Sequence, residues 1–378
     1  MKTKKLLALI LAVLMLAGIF AGCASKPAET TPAADTSEPA AETQQPAAEA
    51  TDAATDGDTM TFEYAGYTFT IDKTVPLEDR EIVSIFENVS HPFGACLNAG
   101  VEQAAADFGV NAYQMGGTSW NAAESVEIMD ALVTKGVDVI CIAAIDEDAF
   151  TAASKRAMEA GVMVIGYNSP MTDTSARLCH VGVDIYSVAY AVVEPMCKAI
   201  YDTYGGGKVL LFGDLAANEP YYRAKALRDC VATYPEGTFE IIELNSNQDD
   251  ATIYADIENA FQANPDIVGT YSVSGCQYLA GKYLKENNIG HLDSDHPIYN
   301  AGHDLFEDCL YNVRDGWEAF LVSQDPFGQG YQPIKIAAEF FTNYDTSVFE
   351  DMTLEPIVVT KDNVQEYIDK LEAGIPVG

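Results

Sequence analysis

Seven short segments put small polar and aromatic side chains directly after apolar, β-rich runs: ENVSHPF (87–93), NSP (168–170), DLAANEP (214–220), NSNQDD (245–250), SGCQ (274–277), GHD (302–304) and QDPFG (324–328). Their chemistry is that of hydroxyl recognition. Carboxylates accept and amides both donate and accept, which matches the two roles of a hydroxyl. Aromatic faces cover the apolar side of a ring. A small, neutral, polyhydroxylated ligand fits this set. Covalent chemistry does not. A dinucleotide fingerprint needs GxGxxG directly after a strand, whereas the glycine cluster GGGK (205–208) precedes one. There is no GxxxxGK[ST], GxSxG or HExxH, and His180, His291 and His296 lack metal-ligand spacing. The sequence therefore predicts no enzyme, no cofactor and no metal.

The elements that must carry these segments are legible from about residue 80. EIVSIFE (81–87) is a strand, and ACLNAGVEQAAADFG (95–109) is a helix with Leu97, Val101 and Phe108 on one face. VNAYQM (110–115) is a strand. NAAESVEIMDALVTKG (121–136) is a helix with Asn121 as N-cap and Gly136 as its stop. VDVICIAA (137–144) is apolar at nearly every position, as in a strand covered on both faces. The alternation continues through VMVIGY (162–167) to QGYQPIKIAAEFFTNY (329–344). Strands alternating with helices predict parallel sheets flanked by helices, and about ten such units predict two α/β lobes rather than one sheet. In open parallel sheets ligands bind outside the carboxyl ends of the strands, which is where the polar segments fall. MTFEYAGYTFTI (60–71) reads as a hairpin around Ala65–Gly66, outside the repeat.

Upstream of the body, Lys2, Lys4 and Lys5 precede an unbroken apolar run, residues 6–20. This is the layout of a secretory signal peptide, and it is shorter than the roughly 20 residues of a spanning helix. Phe20-Ala21-Gly22-Cys23 resembles a bacterial lipobox, with Phe20 where Leu is commoner. On that resemblance residues 1–22 are removed, and Cys23 is lipidated with two or more chains, enough for stable anchoring. Residues 24–59 hold almost no large apolar side chain, so they are expected to stay disordered and to span on the order of 30–35 Å. The expected location is the outer face of the bacterial cytoplasmic membrane. Loss of three lysines moves the net charge from −36 to −39, which opposes binding to nucleic acid. Seven cysteines remain beyond Cys23, an odd number without CxxC; they read mostly as core thiols, and pairing is left open.

The order and spacing of SHPFGACLNAGVEQAAADFG, of GVDVICIAAIDEDAFTAASKRAMEAGVMVIGYN, and of GHD followed by SQDPFGQGYQPIKIA resemble the type I periplasmic sugar-binding proteins. These are similar to ribose-binding proteins and to the effector domains of lactose-repressor-like regulators. The resemblance covers roughly residues 80–375. It implies two Rossmann-like lobes joined by three hinge strands, with a sugar held in the cleft by hinge closure. The implied layout is a preface at 60–79, an N-terminal lobe of 80–184 with 325–354, and a C-terminal lobe of 185–324 with 355–378. The implied role is a monomeric substrate-binding lipoprotein that delivers a monosaccharide, polyol or cyclitol to an ABC permease. A sugar- or autoinducer-sensing lipoprotein, and a nucleoside- or amino-acid-binding relative, are the alternatives.

Position by position, the resemblance implies that Phe93 stacks on one ring face and that His91 stands where Asn is usual. Asn168 and Ser169 fall where the family commonly has Asp-Arg, which removes the basis for naming ribose. Arg223 matches the arginine at the start of a second-lobe helix. Gln248 lies where a stacking Phe is expected, and Tyr222 is the other candidate for that face. Ser274 replaces an Asn. Asp304 would take two hydroxyls, with His303 before it at a position that is often aromatic, and Gln324 matches a ligand-binding Gln. Asp325 reads as a helix N-cap. Glu87, Asn88 and Trp120 fall near the cleft with their direction unassigned.

Overall fold

The chain enters its ordered body through a small antiparallel sheet of β1 (Ala54–Asp56), β2 (Thr59–Tyr64) and β3 (Tyr67–Asp72). The structure is a computed structural model, and it describes residues 54–215, 218–246 and 249–377. Ala65 and Gly66 both have positive φ, 51° and 88°, the two-residue turn whose twist suits a hairpin. Met60, Phe62 and Tyr64 alternate inward from β2, and Phe69 and Ile71 from β3. The signal-peptide, Cys23 lipidation and linker readings lie outside the described residues.

Two six-stranded sheets follow. The first holds β4 (Glu81–Asn88), β5 (Asn111–Gly117), β6 (Val139–Ile142), β7 (Met163–Tyr167), β8 (His180–Gly182) and the late β14 (Met352–Thr353), in spatial order β14-β8-β7-β6-β4-β5 with every pair parallel. Its helices are α1 (Pro92–Phe108), α2 (Ala122–Lys135) and α3 (Glu147–Glu159). The second sheet holds β9 (Gly207–Gly213), β10 (Phe239–Asn245), β11 (Ile267–Ser272), β12 (Tyr299–His303), β13 (Phe320–Ser323) and β15 (Ile357–Val359). Its order is β10-β9-β11-β12-β13-β15, parallel except for the last pair. α4 (Ile185–Tyr204), α5 (Asn218–Ala232), α6 (Asp250–Ala263), α7 (Gln277–Asn287) and α8 (Glu307–Arg314) accompany it. The fold is α/β, two lobes of mostly parallel sheet with flanking helices.

Among the described residues the chain passes between the sheets three times: from β8 into α4, from β13 into α9 (Pro326–Asn343), and from β14 into β15. The second passage turns on Asp325, which holds φ 53° and caps α9 by accepting from the Gly328 N–H. α9 then lies along α1 at a distance only glycine permits. A Cβ on Gly100 would come within 2.1 Å of the Phe327 carbonyl oxygen, and one on Gly330 within 2.1 Å of the Leu97 carbonyl oxygen. At the far end of α9, Phe340 meets Phe62 at 5.6 Å between ring centroids, so the small sheet covers that end. Beside the other passages, Arg177 forks onto Asp351 (2.5 and 3.0 Å), which also accepts from the His180 N–H at 2.8 Å. A final helix, α10 (Val364–Glu372), packs against α8, and the tail returns to α1, where the Cys96 thiol reaches the Pro376 carbonyl.

All seven cysteines beyond Cys23 are buried free thiols. Among the described residues no helix is long and apolar enough to cross a membrane.

Candidate functional site

The carboxyl ends of both sheets face one another, because the loop after β4 meets the loop after β12. His91 caps α1 through Nδ1, which accepts from the Phe93 N–H at 3.2 Å. The same ring lies 5.5 Å from Trp120 and 6.1 Å, edge to face, from Phe306 of the other lobe. Burial pushes the His91 pKa down and the charge of Asp304 pulls it back up, so the imidazole feels the carboxylate across the cleft. A cavity of about 810 Å³ opens here, lined by His91 on one side and by Ser274, Gly275 and Phe306 on the other.

The second-lobe wall is a set of linked polar groups. Arg223 is buried, donates Nη1 to the Val273 carbonyl at 3.0 Å, and sits 3.5 Å from Glu219. Ser274 follows, its Oγ accepting the Asp214 N–H at 2.9 Å. The Asp304 carboxylate lies over Gly275, where a Cβ would be 3.2 Å from Oδ2, and accepts from Gln324 Nε2 at 3.0 Å. Asp304 itself holds φ 68°, a conformation few non-glycine residues adopt. The amide chain continues into the first lobe. Gln329 of α9 donates Nε2 to the Gln324 carbonyl at 2.7 Å and accepts from Asn168 Nδ2 at 3.0 Å. Ser169 Oγ reaches Asn168 Oδ1 at 3.3 Å. Hydrogen bonds thus run from Asn168 of one lobe through the crossing to Asp304 of the other.

Arg223, Ser274, Asp304 and Gln324 thus lie on the side of the second sheet, and His91, Asn168 and Ser169 on the side of the first; of these, His91 and Ser274 line the cavity. Phe93 is nearly buried against Phe86, 5.8 Å between centroids. Tyr222 is half-buried, its ring 5.4 Å from Tyr221. Gln248 lies outside the described residues. His303 departs from the expectation: it is 0% exposed and shares a 2.7 Å hydrogen bond with the Tyr271 hydroxyl. Alternation along β12 puts it with Ala301, on the face that α4 covers. Phe306 was missed, although it stands two residues past Asp304 in the same loop. Trp120, 55% exposed beside His91, belongs to the same aromatic rim. Among the described residues no group of three or more His, Cys, Asp or Glu side chains could hold a metal ion.

Residues 82–343 match the periplasmic binding protein domain family. The chain is 24% identical over 299 residues to the xylose/arabinose-binding protein XylF of Sulfolobus acidocaldarius, covering 76% of this chain and 73% of that protein. Among solved structures it is similar to an ABC transporter solute-binding protein from Burkholderia graminis in complex with D-arabinose, at TM-score 0.67 and 23% identity, over 78% of this chain and 99% of that one. It is also similar to a periplasmic ribose ABC transporter protein from Conexibacter woesei, at TM-score 0.67 and 18% identity, over 81% of this chain and all (100%) of that one.

Proposed function

The chain belongs to the periplasmic binding protein family, and from that premise we propose that it is a sugar-binding lipoprotein of an ABC transporter. It would be exported, held by lipid on Cys23 outside the cytoplasmic membrane, and would pass a monosaccharide, polyol or cyclitol to a permease as a monomer. The acts are binding and hinge closure. The observation that carries the reading is Asp304, a charged acceptor for hydroxyls with Gln324 bonded to it, on a cleft wall that faces an aromatic rim. The sugars named for the relatives, xylose, arabinose and ribose, support the ligand class.

The test is a thermal-shift panel of pentoses, hexoses, inositols, nucleosides and amino acids on the full chain in detergent. A ligand at 100 times its Kd stabilises by about 2.7 kcal/mol. The expected result is a rise with at least one sugar or cyclitol that is lost in Asp304→Asn, since a hydrogen bond to a charged group contributes about 1.5–3 kcal/mol. A shift with nucleosides or amino acids alone would overturn the reading.

A further inference from the structure

Glu87 is a buried carboxylate that the fold satisfies only in part. It lies next to the end of β4 and is 4% exposed, yet its Oε1 has no hydrogen-bond partner. Phe86, one residue earlier, turns toward α1 and packs on Phe93 and Gly94. Alternation therefore sends Glu87 to the other face, among the loops that follow β5 and β6. What surrounds it there is the Asn121 N–H, which favours its charge, and Asp146, which opposes it. Burial is the largest influence and raises its pKa. Among the described residues no lysine or arginine forms an ion pair with it. A buried acceptor without a partner carries its full desolvation penalty, and a charged one carries more. Residues Trp120 and Asn121 tie this place to the aromatic rim around His91. The cavity that His91 lines is acidic as well: Asp214, Asp250, Glu307 and Asp308 line it, with no lysine or arginine among its lining residues.

A hydroxyl of a neutral sugar gives such a carboxylate one hydrogen bond and no compensating charge. An ammonium offers three donors and the opposite charge. We infer that the cleft selects a polyhydroxylated ligand carrying a protonated amine, an amino sugar or amino-cyclitol, with the ammonium on Glu87 and neighbouring hydroxyls on Asp304 and Gln324. This rests on the sugar-binding reading above and narrows it. Glu87 is then the specificity residue of the first lobe, and Arg223, held by Val273 and Glu219, remains a donor to hydroxyl oxygens of the second.

The experiment is isothermal titration of the full chain in detergent at pH 7. The probes are glucosamine, galactosamine, mannosamine and an amino-deoxyinositol, each beside its hydroxyl parent. At least one amino compound is expected to bind tenfold or more tighter than its parent. In Glu87→Gln that preference should fall by tenfold or more. Gln keeps the shape and removes a buried charge, so the variant should melt no lower than the wild type, which the same samples can show. Parents binding as well as their amino forms, or a preference that survives Glu87→Gln, would overturn the amine assignment and leave the sugar reading intact. Response to nucleosides or amino acids alone, or to nothing in the panel, would overturn both.

Discussion

Acidification should destabilise the fold through His180, which lies beside a crossing between the lobes. This residue opens β8 and is buried, with no partner for Nδ1. Burial lowers its pKa, the neighbouring Arg177 lowers it further, and the value falls from 6.5 to about 4. Because the native pKa lies below the unfolded one, the unfolded chain binds the extra proton between these values. Stability is then fully present above pH 6.5 and is lost as pH falls toward 4. A gap of about 2.5 units corresponds to about 3 kcal/mol at 1.36 kcal/mol per unit. Two thirds of it, about 2 kcal/mol, should be gone by pH 5. For a body of this size 3 kcal/mol is about 4–5 °C in Tm. The assay is urea or thermal unfolding of wild type and His180→Gln at half-unit steps from pH 4 to 7.5. The variant's absolute stability is not the readout, since its packing changes. The readout is the difference in slope: wild type should lose about 3 kcal/mol more than the variant across the window. Parallel curves would refute the reasoning and mean that His180 titrates in the native state as it does in the unfolded chain, with Asp351 offsetting the burial.

Three further outcomes follow from the packing. Glu318 is fully buried with neither carboxylate oxygen bonded, and burial raises its pKa well above the usual value. The native state therefore keeps a proton that the unfolded chain gives up above about pH 4.5, so wild type should lose stability relative to Glu318→Gln as pH rises from 5 to 8, measured by urea midpoints. Gln329→Ala removes two buried hydrogen bonds of the chain between Asn168 and Gln324 and should cost about 2–3 kcal/mol, read as a lower Tm; a Tm unchanged within a degree would mean that water replaces the amide. Phe62→Ala should cost about 3–5 kcal/mol by emptying the contact with Phe340 and Phe349, yet leave ligand affinity within about twofold, because α9 separates that contact from the crossing by about 25 Å; a large affinity loss in titration would show that the small sheet reaches the cleft.

What the sequence made legible was local. Asn121 accepts from the Glu124 N–H and Gly136 closes α2 at φ 79° because capping chemistry is written within four residues. The unbroken apolar run at Val139–Ile142 announced a strand covered on both faces. These signals suffice for an α/β fold with polar loops at the carboxyl ends of its strands. The direction of a side chain in those loops is a different matter, since it depends on which strand position comes last and on how the backbone turns there. His303 and Asp304 show the difference within two residues. His303 still follows the strand and goes inward to Tyr271, whereas Asp304 adopts positive φ and is swung to Gln324, twenty residues away just past the end of another strand. No pattern in GHD distinguishes the two. Glu87 follows the same logic in reverse: nothing in ENVSHPF says that it is buried, and only the docking of Phe86 under α1 turns its carboxylate away from that helix. Side-chain direction at strand ends is thus set by tertiary packing, and the residues that would discriminate one ligand from another are those whose direction the strand pattern leaves open. It follows that specificity in this cleft is better sought at Glu87 and Trp120, whose direction the sequence left unassigned, than at positions carried over by resemblance alone.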